Sequence, residues 1–491
     1  MEEKKKKQVY KELARIVGEP YVTMDKEDIM PYCRDEISQA FKIYLADMVV
    51  APGSIEEIQE ILKLANKMKV PVYPYAGGVS ISSTALPRMG GMMLLVRRLD
   101  KIIDINEETH TAMVEPGVTW SKLFYEAKKK NLEPLGLGGG PHTGTLIGNF
   151  VLGGGNTGGI DINEEVACEV VLPDGELMWT GSAGMKGHEK LNPWCRVAYG
   201  MNLTGIFHGS LGNYGVVTKV VRRLYPLRDI EERIELGFDT FEACLNSLRD
   251  LVNLGISKQV YGVDRAQAAI IAADSEIIKK PEEYEKYEKI FPEFLLVDKI
   301  SCYNEKQASV YRELIEETVN RHGGRRVSFT GKVKDSLMEL WGGSSAVAIR
   351  YLRHNPHLMA FGMLPPSMLP GLREITKKIM DDIGYKITTF SNKVLEYPRC
   401  WISPWERNES YLFEQEMEFI PEDPESVKIF LEFQKRYYTE AAQYGSSQIN
   451  AGFLKRMEPL MWPGYMRIVR GIKQLLDPND IMAPRQMLKD I

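Results

Sequence analysis

The chain has 491 residues, 44% of them hydrophobic and 26% charged, with a net charge of −5 at pH 7. That length leaves room for two or three domains with sizeable cores, and the composition excludes a disordered chain. The acidic balance argues against a nucleic-acid binder held by many phosphate contacts, and six scattered cysteines without a CxxC pair signal neither a disulfide framework nor a zinc or iron–sulfur site.

No apolar stretch nears the ~20 residues of a membrane span, and the N-terminus lacks the apolar core of a signal peptide, so a cytoplasmic location is expected. The run Lys4 to Lys7 follows Glu2 and Glu3 and reads as the solvated start of a helix. Residues 46–52 read as a strand, and Ser54 with Glu57 forms a capping box that opens an amphipathic helix. Its buried face is Ile55, Ile58, Ile61, Leu62, Ala65 and Met68. A second strand over 70–75 runs straight into the small-residue loop 76–83, which reads either as an anion cradle or as a plain turn. Strands at 94–96, 102–105 and 111–115 and a helix from Thr119 to about Asn131 continue a mixed α/β unit.

Two glycine-dense tracts follow, over residues 136–149 and 153–159. Glycines this crowded mean a backbone that takes positive φ and approaches something closely. A nucleotide pyrophosphate fits, because free backbone N–H groups cradle it without basic side chains; a glycine-rich surface loop is the alternative. Gly153, Gly155 and Gly158 satisfy GxGxxG, with Asp174 at a ribose-binding distance, but a Rossmann unit needs a helix next. Residues 160–172 instead read as a strand closed by a turn at Pro173, Asp174 and Gly175. No GxxxxGK[ST] occurs, which disfavours a nucleoside triphosphatase. The strand 212–224 alternates and ends at Pro226, as an outer strand would. Beyond it glycine thins out. A strand at 233–238 and helices at 241–254 and 306–321 suit a sheet covered by helices, so a domain boundary is expected near 227. A helix from about Gly464 to Leu476 closes the chain, followed by the segment 477–484.

Taken in order, the segments 50–58, 73–80, 114–120, 138–149, 199–207, 210–219 and 476–484 resemble the FAD-linked oxidoreductases of the vanillyl-alcohol oxidase and p-cresol methylhydroxylase type. The resemblance implies an α+β protein with a two-subdomain FAD-binding domain of the p-cresol methylhydroxylase type and an α/β cap domain. It places the FAD-binding domain, with an N-terminal helical extension, at 1–226, the cap or substrate domain at 227–440, and a returning C-terminal segment at 441–491. FAD, one per chain, is the implied cofactor. Tyr75, Ala76, Gly77, Gly78, Val79, Ser80 and Ser82 match the pyrophosphate loop, and Pro141, His142, Thr143, Gly148 and Asn149 match the second cofactor wall. His142 equally suits a loop histidine facing solvent. Glu115 to Val118 and Gly215 to Val217 would flank the adenosine by backbone contacts, and Arg485 would bring positive charge near the cofactor. With no His in the first loop and no Cys in the second tract, a double covalent tether is excluded. Non-covalent FAD is expected; Tyr411 is a candidate for a single link or, alternatively, a packing aromatic.

The departures from the family matter too. Ser447 and Gln448 stand where phenol-oxidising members carry a Tyr–Arg pair, and Ser82 falls where a second tyrosine would lie, so phenolate recognition is weakened. The metal-assisted 2-hydroxy acid dehydrogenases carry a His-Gly-Asn motif that is missing here; His354 and His357, separated by a proline, read as loop histidines rather than ligands. Asp161 aligns near the acidic group at the flavin's reacting edge, or else caps a strand as a turn residue. The implied reaction moves a hydride from an alcohol or benzylic carbon of an aromatic-type substrate, with Asp161, Ser447 and Gln448 as candidate catalytic residues and Trp401 and Trp405 as candidate packing aromatics. A 2-hydroxy acid dehydrogenase of lactate or glycolate type and a flavin-carrying electron-transfer subunit are the alternatives. Partners follow: a small-molecule substrate, an electron-acceptor protein or partner subunit, a homo- or hetero-oligomer, and no nucleic acid.

Overall fold

The structure, a computed structural model, describes residues 1–34, 43–80, 86–135, 143–154, 164–273, 284–331, 333–334, 357–387, 394–447 and 454–488. The helix α1 (Glu3–Val17) turns Val9, Leu13 and Val17 onto the first core, where they meet Ile58, Ile61, Leu62 and Ala65 of α2 (Ile55–Met68). Ser54 caps α2 by accepting from the Glu57 N–H at 3.1 Å, while the Glu57 carboxylate accepts from Gly53 N at 2.6 Å, one residue earlier than the standard box. These helices cover a four-stranded sheet in which β1 (Val22–Thr23) is antiparallel to β2 (Met48–Val50), and β2, β4 (Met92–Leu95) and β3 (Val72–Tyr75) run parallel in that spatial order.

The second sheet is antiparallel, in the order β5 (Ile102–Asn106), β6 (Thr111–Val114), β10 (Val216–Arg223), β8 (Glu165–Val171), β9 (Leu177–Trp179). β10 is therefore the central strand and not an outer one. Pro226 misled because it lies beyond the strand, in the two-residue pairing of β11 (Tyr225–Pro226) with β7 (Leu132–Glu133), where its missing N–H costs no bond of the five-stranded ladder. One face of this sheet buries Val170, Val217 and Val220 with Trp120 and Leu123 of α3 (Trp120–Lys128) and Phe150 of α4 (Leu146–Leu152). Val171 and Val216 join the first core, which fixes the two sheets against each other. The expected hairpin at Asp174 and Gly175 joins β8 to β9, with Gly175 at φ +89°.

Past Pro226 the chain enters a seven-stranded antiparallel sheet of order β15-β12-β14-β13-β17-β18-β16. Its strands are β12 (Ile230–Phe238), β13 (Ser257–Asp264), β14 (Phe294–Cys302), β15 (Arg325–Val327), β16 (His357–Leu364), β17 (Cys400–Glu406) and β18 (Ser410–Glu418). Helices α5 (Phe241–Leu254), α7 (Glu305–Arg321), α8 (Leu369–Ile383) and α9 (Pro424–Tyr444) cover one face and build the largest core with Ile234, Leu236, Phe413 and Tyr437. α6 (Arg265–Ala273) lies on the other face over Tyr261, Leu295 and Trp401. α10 (Pro463–Leu476) returns to the second core through Met466.

Candidate active site

The two glycine-bearing segments meet, though about 70 residues separate them. β3 ends at Tyr75 and opens into the loop Ala76 to Ser80; α4, capped by Thr145 through the Gly148 N–H at 3.2 Å, faces it. A Cβ on Gly77 would lie 3.0 Å from the Thr145 backbone nitrogen, and one on Gly148 would lie 2.7 Å from the Thr145 hydroxyl. Gly77 is thus required by the contact between the two walls. Gly78 has φ +70°, and a Cβ there would also collide with the Tyr75 hydroxyl, so it is required by its backbone and by Tyr75. The Tyr75 ring is itself set edge-on against Tyr32 at 5.4 Å. Arg97 reaches the Gly77 carbonyl at 3.5 Å.

The C-terminal segment closes this wall from the side. Val72 N donates to Ile481 O at 2.7 Å and Ala483 N to Val72 O at 2.8 Å, extending the first sheet beside β3. A buried knot holds the segment: Lys473 Nζ donates to Asp477 Oδ2 at 2.6 Å, to Asn213 O at 3.1 Å and to Met482 O at 2.8 Å, while Asp477 accepts from the Ile481 and Met482 N–H groups. Tyr73 bonds through its hydroxyl to Met89 N and Pro484 O, and Gln486 to Leu86 O. Arg485, exposed and at φ +60°, therefore sits beside the strand that feeds the loop. Asn149 bonds to Gly154 O at 3.3 Å, and Thr143 is exposed just ahead of the cap. Gly215 packs so tightly on Val171 O that a Cβ would lie 2.6 Å away, and the Val217 side chain is core, so only their backbones are left for a ligand.

Ser82, Pro141, His142, Asp161, Gln448 and His354 lie outside the described residues. Ser447 is described: it exchanges both backbone hydrogen bonds with Met363 of β16, and its hydroxyl donates to the Met363 carbonyl at 3.2 Å. Trp401 and Trp405 are core residues, Trp401 stacked on Tyr261 at 4.9 Å beneath α6, so their packing is within the cap. Tyr411 is fully buried under the helices of the cap, where its hydroxyl donates to Asn408; desolvation pushes its pKa up, and these surroundings support its packing alternative. All six cysteines are free, and burial pushes the Cys168 thiol up to about 12. Among the described residues no group of His, Cys, Asp and Glu could hold a metal ion, and no helix is long and apolar enough to cross a membrane.

Several site residues escaped sequence reasoning. α4 was hidden inside a glycine tract, although Thr145 followed by Leu146, Ile147 and Phe150 carried a cap and an apolar face. The Lys473–Asp477 knot had only an i,i+4 spacing to announce it. His208 packs on Phe150 at 5.4 Å beside Gly154, where burial lowers its pKa and favours the neutral imidazole.

The loop Ala76 to Ser80 and the N-terminus of α4 thus meet in a wall made largely of backbone, the kind of surface that holds a nucleotide phosphate. Residues 46–181 match the family described as FAD binding domain. The chain is 23% identical over 500 residues to the mitochondrial D-lactate dehydrogenase [cytochrome] of Arabidopsis thaliana, covering 98% of this chain and 81% of that protein. It is 26% identical to glycolate oxidase subunit GlcD of Bacillus subtilis over 42% of this chain, spanning 43% of the relative. The solved structure of p-cresol methylhydroxylase with substrate bound superposes with a TM-score of 0.83 at 19% identity, covering 100% of this chain and 98% of the other. The chain is an FAD-dependent oxidoreductase on the p-cresol methylhydroxylase-type FAD-binding fold.

Proposed function

We propose that this oxidoreductase takes a hydride from the hydroxyl-bearing or benzylic carbon of a small, neutral organic substrate of aromatic type. One observation carries the reading: Ser447, followed in the sequence by Gln448, is locked to β16 by paired backbone bonds with Met363, and neither of these two residues is a cation where the resemblance implies a Tyr–Arg pair. Neutral hydrogen-bonding groups suit an alcohol and hold a phenolate poorly in a desolvated cleft. Bound FAD supplies the two-electron acceptor. The residues proposed to hold it are Tyr75 to Ser80 with Ser82 on one side, Pro141, His142, Thr143, Gly148 and Asn149 on the other, Gly215 and Val217 through their backbones, and Arg485 at the edge. The loop Ala76 to Ser80 fits such a ligand by its chemistry: it carries no charged side chain, so its backbone N–H groups are its means of holding a phosphate. Asp161 is proposed to take the substrate proton, and Gln448 and Ser447 to orient the substrate oxygen. Reoxidation calls for dioxygen, an acceptor protein or a partner subunit. We place the cap between residues 227 and 440.

A second reading, a 2-hydroxy acid dehydrogenase, is supported by the match to D-lactate dehydrogenase along 98% of the chain. Anaerobic mixing of the holoenzyme with candidate substrates, followed through flavin absorbance, separates the readings. Neutral benzylic alcohols are expected to bleach the flavin, and p-cresol to do so roughly a hundredfold more slowly if each missing donor supplies ~1.5–3 kcal/mol. Rapid bleaching by D-lactate or glycolate alone establishes the second reading, and rapid bleaching by p-cresol overturns the first.

A further inference from the structure

In the segment that follows α10 the backbone is strained where the side chains are most tightly held. Among the described residues ten other than glycine have a left-handed backbone, and three of them, Asp480 at φ +47°, Ala483 at φ +42° and Arg485 at φ +60°, stand close together in that segment. L-residues enter this region at a cost, so such a run persists only where its surroundings over-determine it, and strain of this kind gathers at ligand clamps. The surroundings here converge on one side chain. That of Lys473 is 2% exposed and that of Asp477 fully buried, and besides Asp477 the ammonium faces Asp480 Oδ1 at 3.2 Å. Its bond to Met482 O holds the strained segment. Its bond to Asn213 O holds the turn that leads into β10, in which Leu211 is also left-handed, at φ +54°, and the Asn213 amide donates to Ser210 O at 2.8 Å. Both segments lie on β3: a Cβ on Gly212 would sit 3.0 Å from the Pro74 ring, and Ala483 N donates to Val72 O. Burying an ammonium with a carboxylate costs solvation that their attraction often fails to repay, so such a pair is weak glue, and its best use is to fix one arrangement of the chain.

We propose that Lys473 is a positioning residue for the cofactor site: by gripping Met482 O and Asn213 O together it seats the strained segment against β3 and so fixes Arg485 at the cofactor's edge. The proposal rests on the reading above, in which FAD lies along the loop Ala76 to Ser80 with Arg485 at its edge. β3 runs directly into that loop, so the clamp holds the strand that feeds it at two points. Arg485 is bracketed by fixed neighbours. Before it, Pro484 O accepts from the Tyr73 hydroxyl; after it, the Gln486 side chain accepts from Arg88 Nε at 3.3 Å and donates to Leu86 O at 2.6 Å. An arginine held this way favours whichever form of the ligand carries more negative charge, which for a flavin is the reduced form. Lys473 is enclosed, with its Nζ already engaged, and acts through Arg485 rather than on the ligand.

The test compares the two-electron reduction potential of the bound flavin in the wild-type holoenzyme and in variants, by equilibration with a reference dye. Arg485→Gln is expected to shift the reduced-to-oxidised ratio at a fixed potential about tenfold toward the oxidised form, which is about 30 mV for two electrons. Lys473→Met keeps the length of the side chain and loses its donors; it is expected to shift the ratio the same way by about threefold or more, and the double variant no further than Arg485→Gln alone. A shift from Arg485→Gln with none from Lys473→Met, or additive shifts in the double variant, overturns the inference and leaves the cofactor reading in place. No shift from Arg485→Gln removes Arg485 from the cofactor's edge and overturns that part of the reading together with the inference. Should Lys473→Met fail to retain FAD, hydrogen exchange of the wild type decides. Relative to the amides of β14, those of Met482 and Ala483 are expected to exchange about tenfold or more slowly with FAD bound than after its removal, and equal exchange in the two states overturns the inference.

Discussion

The FAD-binding domain and the cap solve opposite problems. The cofactor wall is made of backbone: Gly77 and Gly78 on one loop, and the Thr145 cap and Gly148 on the facing helix, with side chains mostly withdrawn. The cap is made of side chains, and its sheet buries polar groups on strands whose backbones are all spoken for, such as Asp298 and Gln415. A backbone wall tolerates no Cβ, whereas a side-chain sheet tolerates substitution but responds to charge.

The sharpest way to break this contrast is Gly78→Val. With φ at +70° and the Tyr75 hydroxyl in the way, a β-branched residue forces the loop to rearrange, and purified protein is expected to carry less than about a tenth of the wild-type FAD. Near-normal 450 nm absorbance per chain would show that the loop does not hold the cofactor.

In the cap, Asp298 is fully buried and its only described bond is from the Ser257 hydroxyl at 3.0 Å; desolvation raises its pKa from 3.8 to about 7. The folded protein thus keeps this proton up to about pH 7 while the unfolded chain releases it near pH 4, so stability falls as pH rises between those values, by on the order of 4 kcal/mol in all. Asp298→Asn removes the titration. Urea unfolding is expected to find the variant level with wild type near pH 4 and more stable by a few kcal/mol at pH 8; an equal gap at both pH values would place the charged group in water.

Thr145→Ala gives the smallest effect and tests the wall from its other side. Losing the bond to the Gly148 N–H should cost ~1 kcal/mol of stability and weaken FAD several-fold without abolishing it. Complete loss of FAD in this variant would make the cap part of the ligand contact itself.

Much of the nucleotide domain could be read directly from the chain. Ser54 and Glu57, the apolar face of α2, the strand entering Ala76 and the turn at Gly175 are local features, and local spacing reports them. Helices α5 and α7 in the cap were placed on the same grounds, within a residue. The central position of β10 was not readable, because a strand's neighbours are set by which other segments bury its two faces, and Pro226 carries no information about β6 or β8. Nor was the encounter of Gly77 with Thr145, or the grip of Lys473 on Asn213 O and Met482 O; these join residues whose separation in sequence has no periodic signature. By itself the sequence marked the glycine-bearing loop of the wall, since glycine requirements belong to single residues, and its resemblance to a flavoprotein family implied the cofactor. Tertiary structure alone decided that Trp401 and Tyr411 are core and that Trp194 and Tyr199 are surface, because burial depends on what the rest of the fold lays over a side chain.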